Sequence, residues 1–518
     1  MHDPANVSIF APLIALLPIF WLLLSLGMIK MPAHKACLIG LLASAVLAHL
    51  VWAMPLPFLA SAALEGFVFA LLPILWIILA AFLTYNISLR TGAIDTIKAL
   101  LSSISQDRRI QALLIAWGFG SFLEAVAGFG TAVAVPAALL ISLGFKPFLA
   151  ALICLLANTV AVAFGVVGIP VTTLAQVTSL PVTVLSEAII VQLTPFVFCV
   201  PAFIILTLTR SLAGLAGVWL PTLVSGASFG LAQFLTVRYI GPELPAILGS
   251  IAAFTSTVLV TRLFPPKSVW RFAGEGPPEP DNTASTLAIR AQLRAWSPYL
   301  FLLLLVLLTS RLFPPVHTLL ARASSSLLVY SGSGGKPLVM AWLLTPGTLV
   351  MTSAIIGGLL QGASPAILGR VLLATLNQLR KTAVTILCIV AMAKVLSYSG
   401  MIMSISTAMA ALTGVYYALV SPVLGMLGTF ITGSDTSANI LFGQLQKEVA
   451  LSIGIDPIWL AAANTSGACI GKLISPQSIA IASIAANLTG QEGALLLAAM
   501  RYAIAFVAVL SVLVFVFA

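Results

Sequence analysis

"AGFGTA" (127–132) and "TGSDTS" (432–437) are the two stretches that decide how this chain folds. Each gathers glycine and hydroxyl residues between long apolar runs, and the two align at an offset of 305 residues. Because two further pairs follow in the same order, chance similarity is a poor explanation, and the pattern predicts an internal repeat of two halves. The further pairs are "SLGFKP" (142–147) with "SIGIDP" (452–457), and "LLANTVAVAFG" (155–165) with "AAANTSGACIG" (461–471).

The composition is that of a membrane protein. Of 518 residues, 60% are apolar and only 7% are charged, whereas about a quarter of the residues in a soluble protein are charged. Apolar runs of roughly 18 or more residues, each long enough to cross a bilayer as a helix, recur from end to end. The sequence lacks the short alternating segments of a β-barrel. It therefore predicts an all-α polytopic protein of the cell membrane.

Twelve candidate spans are separated by connections that hold most of the basic residues. With the 30–35 loop in the cytoplasm, seventeen of the 24 Lys and Arg residues lie inside and five outside, and Lys394 and Lys472 lie within spans. This bias favours both termini outside, and the first run is interpreted as a retained span because it lacks the features of a cleaved signal peptide. The spans are about 8–29, 36–53, 58–84, 148–171, 188–209, 213–236, 242–261, 299–314, 337–361, 382–399, 457–487 and 494–517.

Two other apolar stretches, about 110–145 and 415–452, are interrupted by glycine and hydroxyl residues and are predicted to be re-entrant hairpins. Seven spans separate them, so the hairpins enter from opposite faces. Inverted repeats with discontinuous helices are typical of secondary transporters. The predicted organisation is a first repeat, 1–261, with broken span 148–171, a cytoplasmic linker, 262–297, and a second repeat, 298–518, with broken span 457–487.

The polar residues at these interruptions are the predicted binding groups for a small anion. Non-helical backbone survives at membrane depth only where it lines a cavity or is buried in protein, and helix N-termini attract carboxylates. The alternative is that small residues merely allow helices to pack closely. The candidate substrate-binding residues are Gly130, Thr131, Asn158, Thr159, Ser434, Thr436, Asn464, Thr465 and Ser466.

Placing a charged residue at the centre of a membrane span costs about 2.5–3.5 kcal/mol of insertion free energy. Glu124 lies in the first hairpin and Asp435 at the tip of the second. A desolvated carboxylate binds protons more readily, so either is a candidate for carrying a coupling proton. Lys472 is a candidate contact for an anionic substrate, although a structural pair between Asp435 and Lys472 is an open alternative. Glu65 and Lys394 are expected to be structural.

Cofactors, metals and nucleic acid are not expected. The five cysteines are dispersed within apolar runs, and the four histidines are scattered. This pattern implies neither a disulfide framework nor a metal site. The net charge of +10 comes from basic residues in the connections, which orient a membrane protein. An enzyme is disfavoured because the spans hold no nucleophile or metal cluster at catalytic spacing.

At these same residues the chain resembles the L-lactate permease family, proton-coupled carriers of lactate and glycolate. It departs from that family in "SYSG" (397–400), where an asparagine is expected before Tyr398. The resemblance implies an ion-transporter-like fold with two re-entrant hairpins, proton symport of L-lactate or glycolate, and Tyr398 as a further substrate contact. Carriage of another small anion with another ion, a passive anion channel and a homodimer remain open. The stretches that carry the resemblance are "FLEAVAGFGTAVAVPAALLISLGFKP" (122–147), "NTVAVAFGVVGIP" (158–170), "GSDTSANILFG" (433–443) and "AANTSGACIGKLISPQSIAIA" (462–482).

Overall fold

The computed structural model of the chain describes residues 10–25, 29, 31–102, 105–126, 128, 130–266, 268–272, 275, 289–309, 313–332, 334–335, 337–488 and 491–518. The first half consists of helices α1 to α13. They are Ala11–Leu23, Ala33–Leu50, Leu56–Phe69, Trp76–Arg90, Ala93–Ser102, Arg108–Ala112, Gly120–Val126, Thr131–Ser142, Pro147–Ala157, Gly165–Thr178, Val182–Thr209, Trp219–Tyr239 and Pro245–Leu263.

The second half consists of helices α14 to α23 and a small β-ribbon. The helices are Ile289–Thr309, Pro314–Ala321, Pro346–Leu360, Pro365–Tyr398, Met401–Thr413, Tyr417–Thr432, Asp435–Ile453, Pro457–Ile474, Pro476–Ala485 and Glu492–Val516. Strands β1, Ser324–Leu327, and β2, Leu338–Ala341, pair antiparallel between α15 and α16. The prediction of an all-α chain missed this ribbon: β2 occupies the first residues of the predicted span 337–361, and helix α16 begins only at Pro346. Short π-helical segments, Ala70–Leu75 and Leu113–Phe119, join α3 to α4 and α6 to α7.

Ten helices in the described part of the chain are long and apolar enough to cross a membrane, or eleven if α21 and α22 form one bent span. The chain is therefore a polytopic helical membrane protein. The sequence predicted twelve spans, and the difference lies partly in α1, α9 and α16, which have 13, 11 and 15 residues. By length and composition, 401–430 also counts as one long span, although Gly414 interrupts it with φ +52°.

Two helix pairs reverse at the stretches that align in sequence. Gly128 and Gly130 have φ values of +56° and +92° between α7 and α8, which pack against each other. Ala127 and Phe129 of this predicted tip lie outside the described residues. Gly433, at φ +72°, separates α19 from α20, and the Ser434 side chain then accepts a hydrogen bond from the backbone N–H of Ser437. Glycine is suited to both reversals because it adopts positive φ without steric cost.

Two further helices are broken. Within the first turn of α10 the chain passes through left-handed backbone at Val166, Val167 and Gly168. Two consecutive β-branched residues in this region are strained, a state that surrounding structure must enforce. Between α21 and α22 the axis bends by 40° at Ser475, whose side chain caps α22.

Gly467, Gly471 and Pro476 are the residues of span 457–487 at which the sequence predicts a break, and the bend lies only before Pro476. Helix α21 runs unbroken through both glycines. A β-carbon on Gly467 would collide with the carbonyl oxygen of Pro422, and one on Gly471 with that of Met426, both on α19. These glycines therefore bring two helices into close contact, as small residues do in membrane proteins, and the break comes later, before Pro476.

The helices pack as two groups that meet along α17. Helix α17 packs on α2, α3 and α4, while α16 packs on α4 and α14. In the other group, α21 packs on α11, α19, α20 and α23, and α10 packs on α20. Residues 460–474 of α21 are all buried. The contact between α17 and α20 joins the groups and borders the site described below.

Part of the predicted linker, 262–297, lies outside the described residues, namely 267, 273–274 and 276–288. Its last residues are helical, since α14 begins at Ile289. The described part is anchored to the start of α6. The carboxylate of Asp107 accepts a hydrogen bond from the backbone N–H of Trp270 at 3.0 Å, and Arg108 forms an ion pair with Glu275 at 2.9 Å.

Candidate functional site

A cavity of about 660 Å³ opens between α17 and the tip of the α19–α20 pair. The tip contributes residues 432–437, and α17 contributes a wall that includes Gln378, Lys381, Thr382 and Thr385. Residues 31–34, which precede and begin α2, border it as well. The cavity thus runs from the side where the sequence places cytoplasmic connections toward the buried helix breaks.

Three charged side chains lie together at the cavity. Glu124 of α7, Asp435 of α20 and Lys472 of α21 all line it, and they are only 3%, 3% and 7% exposed. Lys472 interacts electrostatically with both carboxyl groups, which also interact with each other. Its Nζ donates a hydrogen bond of 2.8 Å to the carbonyl oxygen of Gly433. The cluster therefore combines two acidic groups and one cation in a site that is mostly shielded from water.

Both carboxyl groups are incompletely hydrogen-bonded. Asn158 hydrogen-bonds the Glu124 side chain, and the Cys469 thiol donates to Oδ2 of Asp435 at 3.6 Å. Within the described part of the chain, Oε2 of Glu124 and Oδ1 of Asp435 have no hydrogen-bond partner. Buried polar atoms are usually paired, so these two oxygens are candidates to receive a proton or to contact a bound molecule.

Three helix N-termini border the same cavity. They are the start of α20 at Asp435, the start of α22 at Pro476, and the start of the right-handed part of α10 at Ile169. Unpaired backbone N–H groups and the helix dipole make such ends favourable for anions. Together with Lys472, they give the cavity end the chemistry of a site for a small carboxylate.

Comparison with known proteins assigns the chain to a protein family. A family model described as L-lactate permease matches residues 11–518. The chain is 43% identical to the L-lactate permease of Streptococcus iniae, over 89% of this chain and 95% of that protein. It is 35% identical to Glycolate permease GlcA of Escherichia coli strain K12, over 99% and 96% of the two chains.

The chain belongs to the L-lactate permease family. Membership in a permease family makes it a transporter rather than an enzyme, and its apolar helices make it a multi-pass protein of the cell membrane. Among solved structures, it is similar to the YdaH transporter of Alcanivorax borkumensis with a TM-score of 0.46 and 16% identity, over 97% of each chain.

Several predicted binding residues of this family member lie behind the cavity in a buried polar network. Asn464 and Thr465 both donate to Oδ1 of Asn439 at 2.9 Å. Ser466 donates to Gln192 at 2.9 Å. Asn439 in turn donates to the carbonyl oxygen of Pro170 at 3.1 Å, which joins α20 to the broken helix α10. The network holds the cavity wall in place.

Three other predicted residues lie in the first half without lining the cavity. A β-carbon on Gly130 would collide with Ile481 of α22, so this reversal packs against α22. Thr131 donates to the carbonyl oxygen of Gly128 at 2.8 Å, and Thr159 donates to that of Leu155 at 3.4 Å. These hydroxyl groups satisfy backbone acceptors of their own segments.

Tyr398 lies apart from the cavity, near the far end of α17. Its hydroxyl donates to Oε1 of Glu65 at 2.9 Å, and Lys394 contacts the same oxygen at 2.7 Å. The Tyr398 ring stacks on Tyr330, with 3.8 Å between the ring centroids. Tyr398 thus belongs to a second intramembrane cluster of charged and aromatic groups.

The α17 wall of the cavity is the part of the site that was not predicted from the sequence. Gln378, Lys381, Thr382 and Thr385 recur at intervals of three and four residues, which places them on one face of a helix. Polar residues at helical spacing indicate one polar face of a helix. The predicted span began at 382 and so excluded Gln378 and Lys381, whereas α17 begins at Pro365.

Two other depressions, of about 450 and 930 Å³, do not contain the charged cluster. The first lies among α10, α12 and α14 and is bordered by Arg238, which pairs with Glu187 at 3.0 Å. The second is bordered by Lys146, Arg210 and Arg501. Neither is lined by Glu124, Asp435 or Lys472, so the cavity at α17 is the candidate transport site.

Proposed function

We propose that the chain is a secondary active transporter that moves L-lactate and related small 2-hydroxymonocarboxylates across the cell membrane together with protons. The observation that carries the proposal is Lys472 between Glu124 and Asp435, at a cavity bordered by helix N-termini. The relatives named L-lactate permease and Glycolate permease GlcA support the substrate class.

Charge balance within the cluster gives a reason for coupling. With both carboxyl groups ionised, the three side chains have one excess negative charge, and the site repels an anion. With both protonated, Lys472 is left as an unneutralised cation beside helix N-termini, and the site attracts a monocarboxylate. Because an uncompensated charge is costly in a low-dielectric site, the anion is expected to bind together with at least one proton.

The proposed carboxylate position lies between Lys472 and the start of α20. Ser434 and Thr436 border the cavity there, and their hydroxyl groups provide directional contacts. Asn158 is assigned to Glu124, which it hydrogen-bonds. Asn464, Thr465 and Ser466 are assigned a positioning role through Asn439 and Gln192. Glu124 and Asp435 exchange the coupling proton in this proposal.

The proposed architecture assigns these parts to two inverted repeats, 1–261 and 298–518, joined by the linker 262–297. The α7–α8 and α19–α20 pairs are re-entrant hairpins that enter from opposite faces, accompanied by twelve spans. The matched reversals at Gly128 and Gly433 support this arrangement. It places the cavity on the cytoplasmic side of the binding site.

Glycolate is the alternative substrate within the same mechanism. Glycolate permease GlcA matches over 99% of this chain, and glycolate shares the carboxylate and 2-hydroxyl groups of lactate. Competition between the two acids for uptake of labelled L-lactate decides their order. A passive anion channel would conduct without a proton, and bilayer recordings of substrate-dependent current test that alternative.

Purified protein in liposomes provides the central test. Vesicles loaded with L-lactate and diluted into lactate-free buffer should become alkaline inside, because lactate leaves together with protons. Asp435→Asn or Glu124→Gln should abolish or strongly reduce this pH change. Asp456→Asn is the matched control, because Asp456 is exposed and caps α21 through the backbone N–H of Ile458, a role that asparagine also fills. Lactate flux without any pH change in the wild type would refute proton coupling, and a sodium requirement would assign the coupling to another ion.

A further inference from the structure

A second, much smaller cavity lies farther along α17, toward its C-terminal end. It is bordered by Val390, Ala393, Lys394 and Ser397 of α17 and by Gln444 of α20. On α17, Lys394 follows Thr385 of the large cavity by nine residues, and on α20, Gln444 follows Asp435 by nine residues. Nine residues correspond to about 13.5 Å of helix rise. The two cavities are therefore successive levels of one interface between α17 and α20.

The two levels differ greatly in size. The small cavity has a volume of about 30 Å³, against about 660 Å³ for the large one. A volume of roughly 30 Å³ is about the share of one water molecule in the liquid, so a monocarboxylate does not fit. With the sequence-based orientation, the pathway is open at the cytoplasmic level and closed at the outer level.

The outer level has its own cation, Lys394. Its Nζ lies 2.7 Å from Oε1 of Glu65, with the Lys394 side chain 23% exposed and that of Glu65 5% exposed. The same Nζ lies over the rings of Phe69 and Tyr398, 5.6 Å from each centroid. Glu65 is engaged through one oxygen only, since its Oε2 has no hydrogen-bond partner among the described residues. Glu65 thus neutralises Lys394 through one oxygen, and its other oxygen stays without a hydrogen bond.

A loop between the strands covers the cluster. Tyr330 is 5% exposed and stacks on Tyr398, and Ser331 shares a hydrogen bond of 3.0 Å with Ser61 of α3. This loop covers one side of the cluster, and Lys394 borders the small cavity on the side of Gln444. Gln444 belongs to α20, the helix that begins at Asp435.

We propose that Lys394 is an anion-binding residue at the outer opening of the transport pathway, where it receives the small monocarboxylate when the small cavity widens, while Glu65 neutralises it in the closed state. The inference rests on the proposed function, because it takes the transported anion as its ligand. It assigns Glu65 the role of a competitor: the carboxylate of the substrate replaces that of Glu65 beside the ammonium group.

The proposal predicts opposite effects for the two members of the pair. Lys394→Gln should raise the KM for L-lactate about tenfold in right-side-out vesicles, which corresponds to a loss of about 1.4 kcal/mol of binding free energy. In inside-out vesicles the same variant should change the KM less than about twofold. Glu65→Gln should lower the KM in right-side-out vesicles, because Lys394 loses its competing partner. A purely structural ion pair would instead reduce the amount of folded protein in both variants and leave the KM unchanged.

Three further variants keep the test decisive. Lys394→Arg should retain the wild-type sidedness, since the charge is preserved. Gln444→Glu introduces a negative charge into the small cavity and keeps both members of the ion pair, while it removes the hydrogen bond of 2.6 Å from Gln444 to Glu448. It should raise the same KM even if Lys394→Gln fails to reach the membrane. Lys381→Gln, in the large cavity, should affect inside-out vesicles instead. Equal effects of Lys394→Gln on both faces, or none in either, would overturn the assignment, whereas absence of lactate transport by the wild type would refute the proposed function itself.

Discussion

At the scale of single residues, Lys472 has two separable roles. Its charge faces two carboxyl groups, and its ammonium group also holds the reversal of α19–α20 through the carbonyl oxygen of Gly433. Lys472→Gln removes the charge and should abolish the stabilisation of the purified protein by L-lactate, since a ligand raises the melting temperature only when it binds the folded state. Lys472→Arg retains the charge and should keep part of the shift. Thermal melting with and without lactate measures both effects, and a full lactate shift in Lys472→Gln would exclude Lys472 from the site.

The sequence identified some site residues much better than others. Glu124, Asp435 and Lys472 stand out because a charge inside an apolar span is costly and needs a reason. Asn439 lies in the same short polar stretch as Asp435, yet its role as the acceptor for Asn464 and Thr465 depends on which helix faces it. Single polar side chains do not reveal their partners: Asn464, Thr465 and Ser466, predicted to contact the substrate, hydrogen-bond Asn439 and Gln192, which were not predicted.

At the scale of helices, the contact of α21 with α19 depends on glycine. A β-carbon on Gly471 would collide with the carbonyl oxygen of Met426, which belongs to the backbone and cannot rotate away. Gly471→Ala should therefore destabilise the protein by about 1–3 kcal/mol, the usual range for overpacking. Gly369→Ala on α17 is the matched control, because nothing lies within 4 Å of its β-carbon position and alanine favours helix by about 1 kcal/mol. Denaturant titration in detergent compares the two, and equal stability of both variants would contradict the packing role.

Helix type and helix breaks were predictable to different degrees. Long apolar runs predicted α11, α12, α13 and α23 because length and hydropathy alone decide such spans. The role of Gly467 and Gly471 was not predictable, because glycine in an apolar run either breaks a helix or brings two helices together, and the sequence is the same in both cases. The left-handed backbone conformation of Val166 and Val167 was also not predictable from residue propensities, since β-branched residues rarely adopt that conformation.

At the scale of the whole molecule, the two cavities along α17 lie at successive levels, and each is bordered by its own polar groups. The open level has Lys381 and Thr385, and the closed level has Lys394 and Ser397. The relation between the two levels depends on α20 running beside α17, which only the packing of the two helix groups reveals. The arrangement is that of a molecule open to one side, with its outer opening collapsed to a cavity of about 30 Å³.

Single cysteines at the two levels test this asymmetry directly. Thr385→Cys should react with a membrane-impermeant anionic thiol reagent in inside-out vesicles and not in right-side-out vesicles, because the large cavity opens to the cytoplasm in the proposed orientation. Ser397→Cys, at an exposed position beside Lys394, should show the reverse. The native cysteines should add little labelling, since Cys37, Cys154, Cys388 and Cys469 are buried. Only the exposed Cys199 needs replacement by serine. Saturating L-lactate should slow labelling of Thr385→Cys, because the bound anion and the reagent occupy the same cavity, and rapid labelling of this cysteine from the outside would contradict the closed outer level.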